Sequence, residues 1–258
     1  MEFCVVVTGA GKGIGMALVK EIIHRFQKED LVLFPNSNLG KRRKISAVKI
    51  IAISRQTKDL LKLRQRLEKK ETRKGVTLIP ISAELGNKEG LEEILSRVKS
   101  LGGPVHALIN NAGLFLHAPL KEISFEKIME VYFVNVVSPT MLIQGLMPQL
   151  EMEESHILNI GSMGGIQGSL KFPGFSVYSS SKMALAGITE CLAVEMPRNV
   201  SINCLALGSV NTEMLKTAFP DYVSDVEPEQ MGRYIFDYMN GALGLQNGKL
   251  VEISRNNP

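Results

Sequence analysis

Runs rich in β-branched residues recur along the chain at Phe3–Val7, Ala47–Ser54, Val76–Ser82, His106–Asn110, His156–Ile160, Val200–Leu207 and Lys249–Ile253. Most are near-continuously apolar instead of alternating, the pattern of strands covered on both faces. Between most of them the apolar positions switch to helical spacing. Leu18, Ile22 and Phe26 make one stripe, and Leu60, Leu63 and Leu67 another. Longer helical patterns run from about Phe125 to Leu150 and from Tyr178 to Glu195. Strands alternating with helices predict an α/β protein, a single doubly wound parallel sheet with helices on both faces.

With 258 residues and 45% hydrophobic composition, the chain can bury one large core, so residues 1–258 are expected to form a single domain. Two stretches interrupt the alternation. Pro35–Gly40 followed by Lys41–Lys44 makes a long basic connection, read as an insertion over 35–47. Asn211–Pro228 follows a strand end, where a lid over an active crevice sits in open α/β sheets.

Charge sharpens this picture. Lys41–Lys74 holds fourteen Lys/Arg against Asp59, Glu68 and Glu71, whereas the whole chain is only +4. That asymmetry fits a solvated loop and helix face, a field that draws in a polyanionic cofactor, or a nucleic-acid surface. With no interleaved aromatics and no nucleic-acid motif, no nucleic-acid partner is expected. Cys4, Cys191 and Cys204 are scattered, and His24, His106, His117 and His156 lack ligand spacing, so neither a disulfide framework nor a metal site is expected. A strand-like run opens the chain, and apolar stretches such as Ile157–Ile160 are short. The expectation is a cytoplasmic protein with no signal peptide and no membrane partner.

Two constellations carry chemistry. After the first strand, Thr8-Gly-Ala-Gly-Lys-Gly-Ile-Gly15 opens a helix, whose free amides and dipole favour a pyrophosphate. The spacing of Gly9, Gly13 and Gly15 fits the general dinucleotide fingerprint only loosely. Downstream, Tyr178-Ser-Ser-Ser-Lys182 sets a lysine one helical turn from a tyrosine. A phenol with a pKa of about 10 is a poor acid–base group at neutral pH unless a nearby cation stabilises its phenolate. Tyr-x-x-x-Lys is common by chance, as is a glycine turn.

Taken together with Asn110-Asn111-Ala112-Gly113, these motifs resemble the short-chain dehydrogenase/reductase family over nearly the whole chain, from Val5 to about Ile253. The resemblance implies a Rossmann-type fold and hydride transfer. It makes Tyr178 the proton donor to a carbonyl, with Lys182 lowering the tyrosine pKa and holding the cofactor ribose. Ser162 orients the substrate oxygen, and Asn135 anchors a relay water. It also implies cofactor contacts from Gly9, Gly11, Lys12, Gly13, Ile14 and Gly15, from Ser54 and Arg55, from Glu84 and Leu85, from Asn111, Ala112 and Gly113, and from Gly208, Val210 and Thr212.

NAD-binding relatives carry an acid after the second strand, where this chain has Arg55; an arginine grips a 2′-phosphate, and Lys12 can add a second charge. NADP(H) is therefore the expected cofactor. Glu84 stands where relatives usually have an aspartate near the adenine. Other departures are Gly161 before the serine, Leu207 in place of a proline, and extra residues around Gly168–Gly174 between Ser162 and Tyr178. The extra residues are expected to enlarge a loop beside the substrate site, and Ser162 then requires that loop to bulge outward.

The expected activity is NADPH-dependent reduction of a ketone or aldehyde, with a small-molecule carbonyl substrate. A weaker resemblance to sepiapterin reductases rests on Ile51–Arg55, Ala83–Gly86 and Glu252, which matches the position of their pterin-anchoring acid. A 3-oxoacyl thioester reductase and a non-catalytic NADP(H) sensor are the alternatives. The long helices are expected to pair into a homodimer or homotetramer.

Overall fold

The runs expected as strands all form one parallel sheet. The computed structural model describes residues 1–28, 32–33, 43–69 and 75–255. Within them lie β1 (Glu2–Thr8), β2 (Ala47–Ser54), β3 (Val76–Ser82), β4 (Ala107–Asn110), β5 (Ser155–Ser162), β6 (Val200–Leu207) and β7 (Leu250–Ile253). The order across the sheet is β3-β2-β1-β4-β5-β6-β7, with every neighbouring pair parallel. The chain builds outward from β1 in one direction, then crosses to β4 and builds in the other. The switch between β1 and β4 opens a crevice at the carboxyl ends of the strands, where ligands bind in sheets of this kind.

One face is covered by α1 (Gly13–Lys28), α2 (Lys58–Lys69) and α8 (Pro228–Gly241). Leu18, Ile22 and Phe26 pack there with Leu60, Ile235 and Phe236, and Leu63 and Leu67 lie at the margin as the stripes predict. The other face is covered by α3 (Lys88–Ser100), α5 (Ser138–Leu150) and α6 (Ser176–Glu195), and it buries Val6, Ile51, Leu91, Ile94, Leu142 and Leu146. α5 continues α4 (Phe125–Tyr132) through a π-helical turn at Phe133–Val137. The continuous run Phe125–Leu150 is long and apolar enough to cross a membrane by composition, yet Leu142, Ile143, Leu146 and Leu150 are buried against the sheet.

A two-residue antiparallel ribbon joins Val32–Leu33 to Arg43–Lys44. Residues 35–42 of the expected insertion lie outside the described residues. The expected lid contains α7 (Glu213–Ala218).

Candidate active site

The carboxyl ends of β1, β2, β4, β5 and β6 border a cleft of about 970 Å3. Its floor begins at the glycine turn. Gly9 and Gly13 adopt φ of 64° and 52°, the left-handed region that glycine enters without strain. A Cβ on Gly9 would also come within 2.9 Å of Ala112 Cα, so the turn is pressed against the Asn110–Gly113 segment. Thr8 fastens that contact: its Oγ1 accepts from the amides of Asn111 and Ala112, both at 3.0 Å. Asn111 Nδ2 donates back to the carbonyls of Thr8 and Gly9 at 3.0 and 3.3 Å. Asn110 turns the other way and donates to Asn159 Oδ1 at 2.8 Å, tying β4 to β5.

Gly9, Lys12, Gly13 and Ile14 line the cleft, but Gly11 and Gly15 do not. At both positions the chain is packed too closely for a side chain. A side chain on Gly11 would collide with Ser54 and Gln56, and one on Gly15 with the Gly9 carbonyl and Asn111. Ser54, Arg55, Glu84, Leu85, Asn111, Ala112 and Gly113 line the cleft, as do Gly208, Val210 and Thr212. Thr212 also caps α7, its hydroxyl accepting from the Leu215 amide at 3.3 Å.

The two cations expected to meet a 2′-phosphate each have a carboxylate beside them. Arg55 lies 3.8 Å from Glu84. Lys12 is paired with Glu213 at the start of α7, and that bond, largest of the causes, holds the glutamate below its usual range. Both pairs are solvent-facing, where an ion pair contributes little and yields readily to a stronger partner.

Another wall of the cleft is built by β5 and α6. Ser162 ends β5, and its hydroxyl accepts from the Gly164 amide at 3.2 Å, which orients it at the start of a short 3-10 turn. Tyr178 projects from the first turn of α6 toward it. Burial pushes the phenol above its usual value, while a hydrogen bond with Ser162 pulls it back down. Lys182, one turn later, is 5% exposed and donates to the Ile160 carbonyl at 2.8 Å. Burial lowers its ammonium to about 8, opposed by the nearby Cys204 thiol. The Cys204 thiol is itself raised to about 11, chiefly by burial. Ser162, Tyr178 and Lys182 thus meet at one wall of the cleft.

Asn135 does not border the cleft. It is fully buried in the π-helical turn, where its Oδ1 accepts from Leu114 N at 2.7 Å and its Nδ2 donates to Leu114 O and Ser181 Oγ, both at 2.9 Å. Its side chain clamps the segment after Gly113 to α6 at Ser181. A π-turn is a common distortion at functional sites, and here it aims the asparagine inward.

The expected departures have local causes. A Cβ on Gly161 would lie 2.8 Å from Cys204 Sγ on the neighbouring strand, so glycine is the residue that fits. The segment Gly168–Gly174 folds back on itself beside the cleft and leaves Ser162 facing Tyr178. The sequence placed this loop beside the site but singled out none of its rings: Phe172 lines the cleft with Phe115, Phe175, Phe219 and Tyr222. Glu252, the expected counterpart of a pterin anchor, lines a separate cavity of about 430 Å3 with Asp225, Tyr234 and Arg255.

Residues 42–223 match the family model described as short chain dehydrogenase. Among curated relatives, the protein FixR of Bradyrhizobium diazoefficiens is 31% identical over 66% of this chain and 66% of its own length. Retinol dehydrogenase 8 of Homo sapiens is 28% identical over 81% of this chain and 59% of its own. The matched stretches thus span between half and two thirds of these relatives. Among solved structures, 4-hydroxyisoleucine dehydrogenase complexed with NADH superposes with a TM-score of 0.77 at 20% identity, covering 98% of this chain and 97% of that one. A short chain dehydrogenase from Burkholderia cenocepacia in complex with NADP gives 0.77 at 21% identity, covering 97% and 95%. With the family model spanning most of the chain and the fold shared end to end, the protein belongs to the short-chain dehydrogenase family.

Proposed function

We propose that this protein is an oxidoreductase that reduces a ketone or aldehyde with NADPH. The observation that carries the reading is the convergence of Ser162, Tyr178 and Lys182 at the wall of a cleft whose other end is the Gly9–Ile14 turn. The cradle fits a dinucleotide: its glycines allow main chain to approach a ligand closely, and α1 begins at Gly13, which with Ile14 lines the cleft. A bound nicotinamide supplies the hydride.

The chain supplies the rest. Ser162 Oγ and the Tyr178 hydroxyl hold the carbonyl oxygen, and Tyr178, whose burial keeps it protonated, delivers the proton as negative charge develops there. The Lys182 ammonium stabilises the resulting phenolate. Asn135 fixes Tyr178 through Ser181. Arg55 and Lys12 support NADP(H) over NAD(H), since a 2′-phosphate can displace Glu84 and Glu213 from them. Phe125, Met129, Met141 and Met183, exposed on α4, α5 and α6, support a homo-oligomer paired through those helices.

The test is NADPH oxidation over a panel of sepiapterin, simple diketones and a 3-oxoacyl thioester, with NADH as the comparison. Turnover that falls at least about a hundredfold in Tyr178→Phe, with NADPH binding retained, supports the mechanism. Binding of NADPH without turnover of any substrate would favour a cofactor sensor, and a preference for NADH would overturn the roles of Lys12 and Arg55.

A further inference from the structure

A continuous array of rings runs from Tyr178 to the lid. Phe115, which follows the Asn110–Gly113 segment, lies 5.0 Å from the Tyr178 ring and 5.1 Å from Phe175, edge to face in both cases. Phe175 stands 5.6 Å from Phe172 and 5.5 Å from Phe219. Phe172, from the extra segment, and Phe219, from the end of α7, meet edge to face at 5.1 Å. Three segments far apart in sequence, at Phe115, Phe172–Tyr178 and Phe219, therefore deliver rings to one wall.

The extra segment is fastened so that Phe172 is presented to the cleft. Gly168 and Gly174 both take φ of 81°, which lets the chain reverse at each end. Lys171 Nζ donates to the carbonyls of Ile166 and Ser169 at 2.6 and 3.2 Å, and Ser169 Oγ donates to Met163 O at 2.6 Å. The lysine charge is thereby spent within the loop and stays out of the cleft lining. Leu114, Met163 and Met214 complete this region, and the lid contributes Lys216 as its one charge besides the paired Glu213.

The geometry points to a substrate whose carbonyl carries an aromatic group, with Phe172 and Phe219 as the specificity-determining residues. The inference rests on the reductase reading above and deepens it. With the carbonyl oxygen at Ser162 and Tyr178, the remainder of the substrate extends toward Phe115, Phe175 and the Phe172–Phe219 pair. A saturated group of equal size gains the same apolar burial there. An aromatic one also gains the edge-to-face term, because these rings offer both positive edges and negative faces. Thioether sulfurs at Met163 and Met214 favour aromatic contact for a related reason.

The experiment compares 4-phenylbutan-2-one with 4-cyclohexylbutan-2-one, whose rings are isolated from the carbonyl, so that intrinsic reactivity is matched. In the wild type, kcat/KM with NADPH favours the phenyl ketone. In Phe172→Leu and in Phe219→Leu, which keep apolar volume and lose the ring, that preference falls by about 2- to 12-fold while NADPH affinity is unchanged. Equal rates for the two ketones in the wild type, or a preference that survives both substitutions, overturns the assignment. If neither ketone turns over, the reductase reading is decided separately by the carbonyl panel above. Equilibrium binding of the two ketones to the NADP-loaded protein then decides the matter: tighter binding of the phenyl ketone supports the aromatic site, and equal binding overturns it.

Discussion

Acid should weaken this fold through one residue, His156. The side chain is fully buried in β5; its Nδ1 donates to the Met239 carbonyl at 2.9 Å, and its Nε2 accepts from Asn203 Nδ2 at 2.9 Å. Asn203 in turn donates to Gln246 O and accepts from Lys249 N, so a neutral imidazole ties β5 to α8 and to the chain entering β7. Burial pushes its pKa down to about 4, with the Met239 bond acting in the opposite direction. In the unfolded chain the value is about 6.5, so below that pH the unfolded state binds a proton that the folded state refuses. The stabilising contribution is therefore complete above about pH 6.5 and is lost as pH falls toward about 4, reaching roughly 3 kcal/mol; at pH 5 it is about 2 kcal/mol. Urea unfolding at pH 7.5, 6.5 and 5 checks this against His156→Gln, whose amide can keep both hydrogen bonds without titrating. The variant should be less stable at neutral pH, yet lose less than the wild type between pH 6.5 and 5. Parallel losses in the two proteins would refute the assignment to His156.

Three further outcomes follow. Because burial brings the Lys182 ammonium to about 8 while Tyr178 is raised, kcat/KM for carbonyl reduction should fall about tenfold per pH unit above about pH 8; a profile flat to pH 10 would contradict it. Gly161→Ala should cost about 1–3 kcal/mol by pressing on Cys204 Sγ, and Cys204→Ala should relieve part of that cost; thermal melts giving strictly additive effects would exclude the contact. Glu84→Gln, which frees Arg55 from its carboxylate, should tighten NADPH about 2- to 5-fold relative to NADH in fluorescence titrations, and an unchanged ratio would remove Arg55 from 2′-phosphate recognition.

The sheet was legible because a strand buried on both faces must be apolar at successive positions, and the chain has few other reasons to write such runs. β1 and β6, almost wholly buried, are the clearest cases. Tyr178 and Lys182 were legible for a similar reason: four residues on a helix is a fixed neighbour distance. Contacts between distant segments carry no such period. Glu213 reaches Lys12 across 201 residues. The ring wall draws on the segment after β4, the extra loop running into α6, and the end of α7, and no local pattern marks Phe115, Phe172 and Phe219 as neighbours. Asn135 was found by motif, but its use of both amide atoms on Leu114 and Ser181 depends on a π-turn that its surrounding apolar residues do not announce.

The departures from the family pattern are better understood as exchanges between neighbours than as damage to the site. Gly161 pairs in register with Ala206, and the thiol two residues before that alanine takes up the space a side chain at 161 would use. Leu207 stands where a proline usually pins the segment beside the nicotinamide. Here the pinning comes from the adjacent strand: Leu207 is 6% exposed and paired with Ile253, and the Gly208 amide donates to the Ile253 carbonyl at 2.7 Å. A side chain on Gly208 would come within 2.7 Å of Ser254 Oγ, so that close approach needs glycine just as the proline-containing version needs a fixed φ. The extra residues before α6 follow the same logic. They lengthen the path from Ser162 to Tyr178 without separating the two side chains, because Ser169 and Lys171 bind the added chain back onto Met163 and Ile166. Ser162 and Tyr178 stay hydrogen-bonded while Phe172 adds a ring to the cleft beside them.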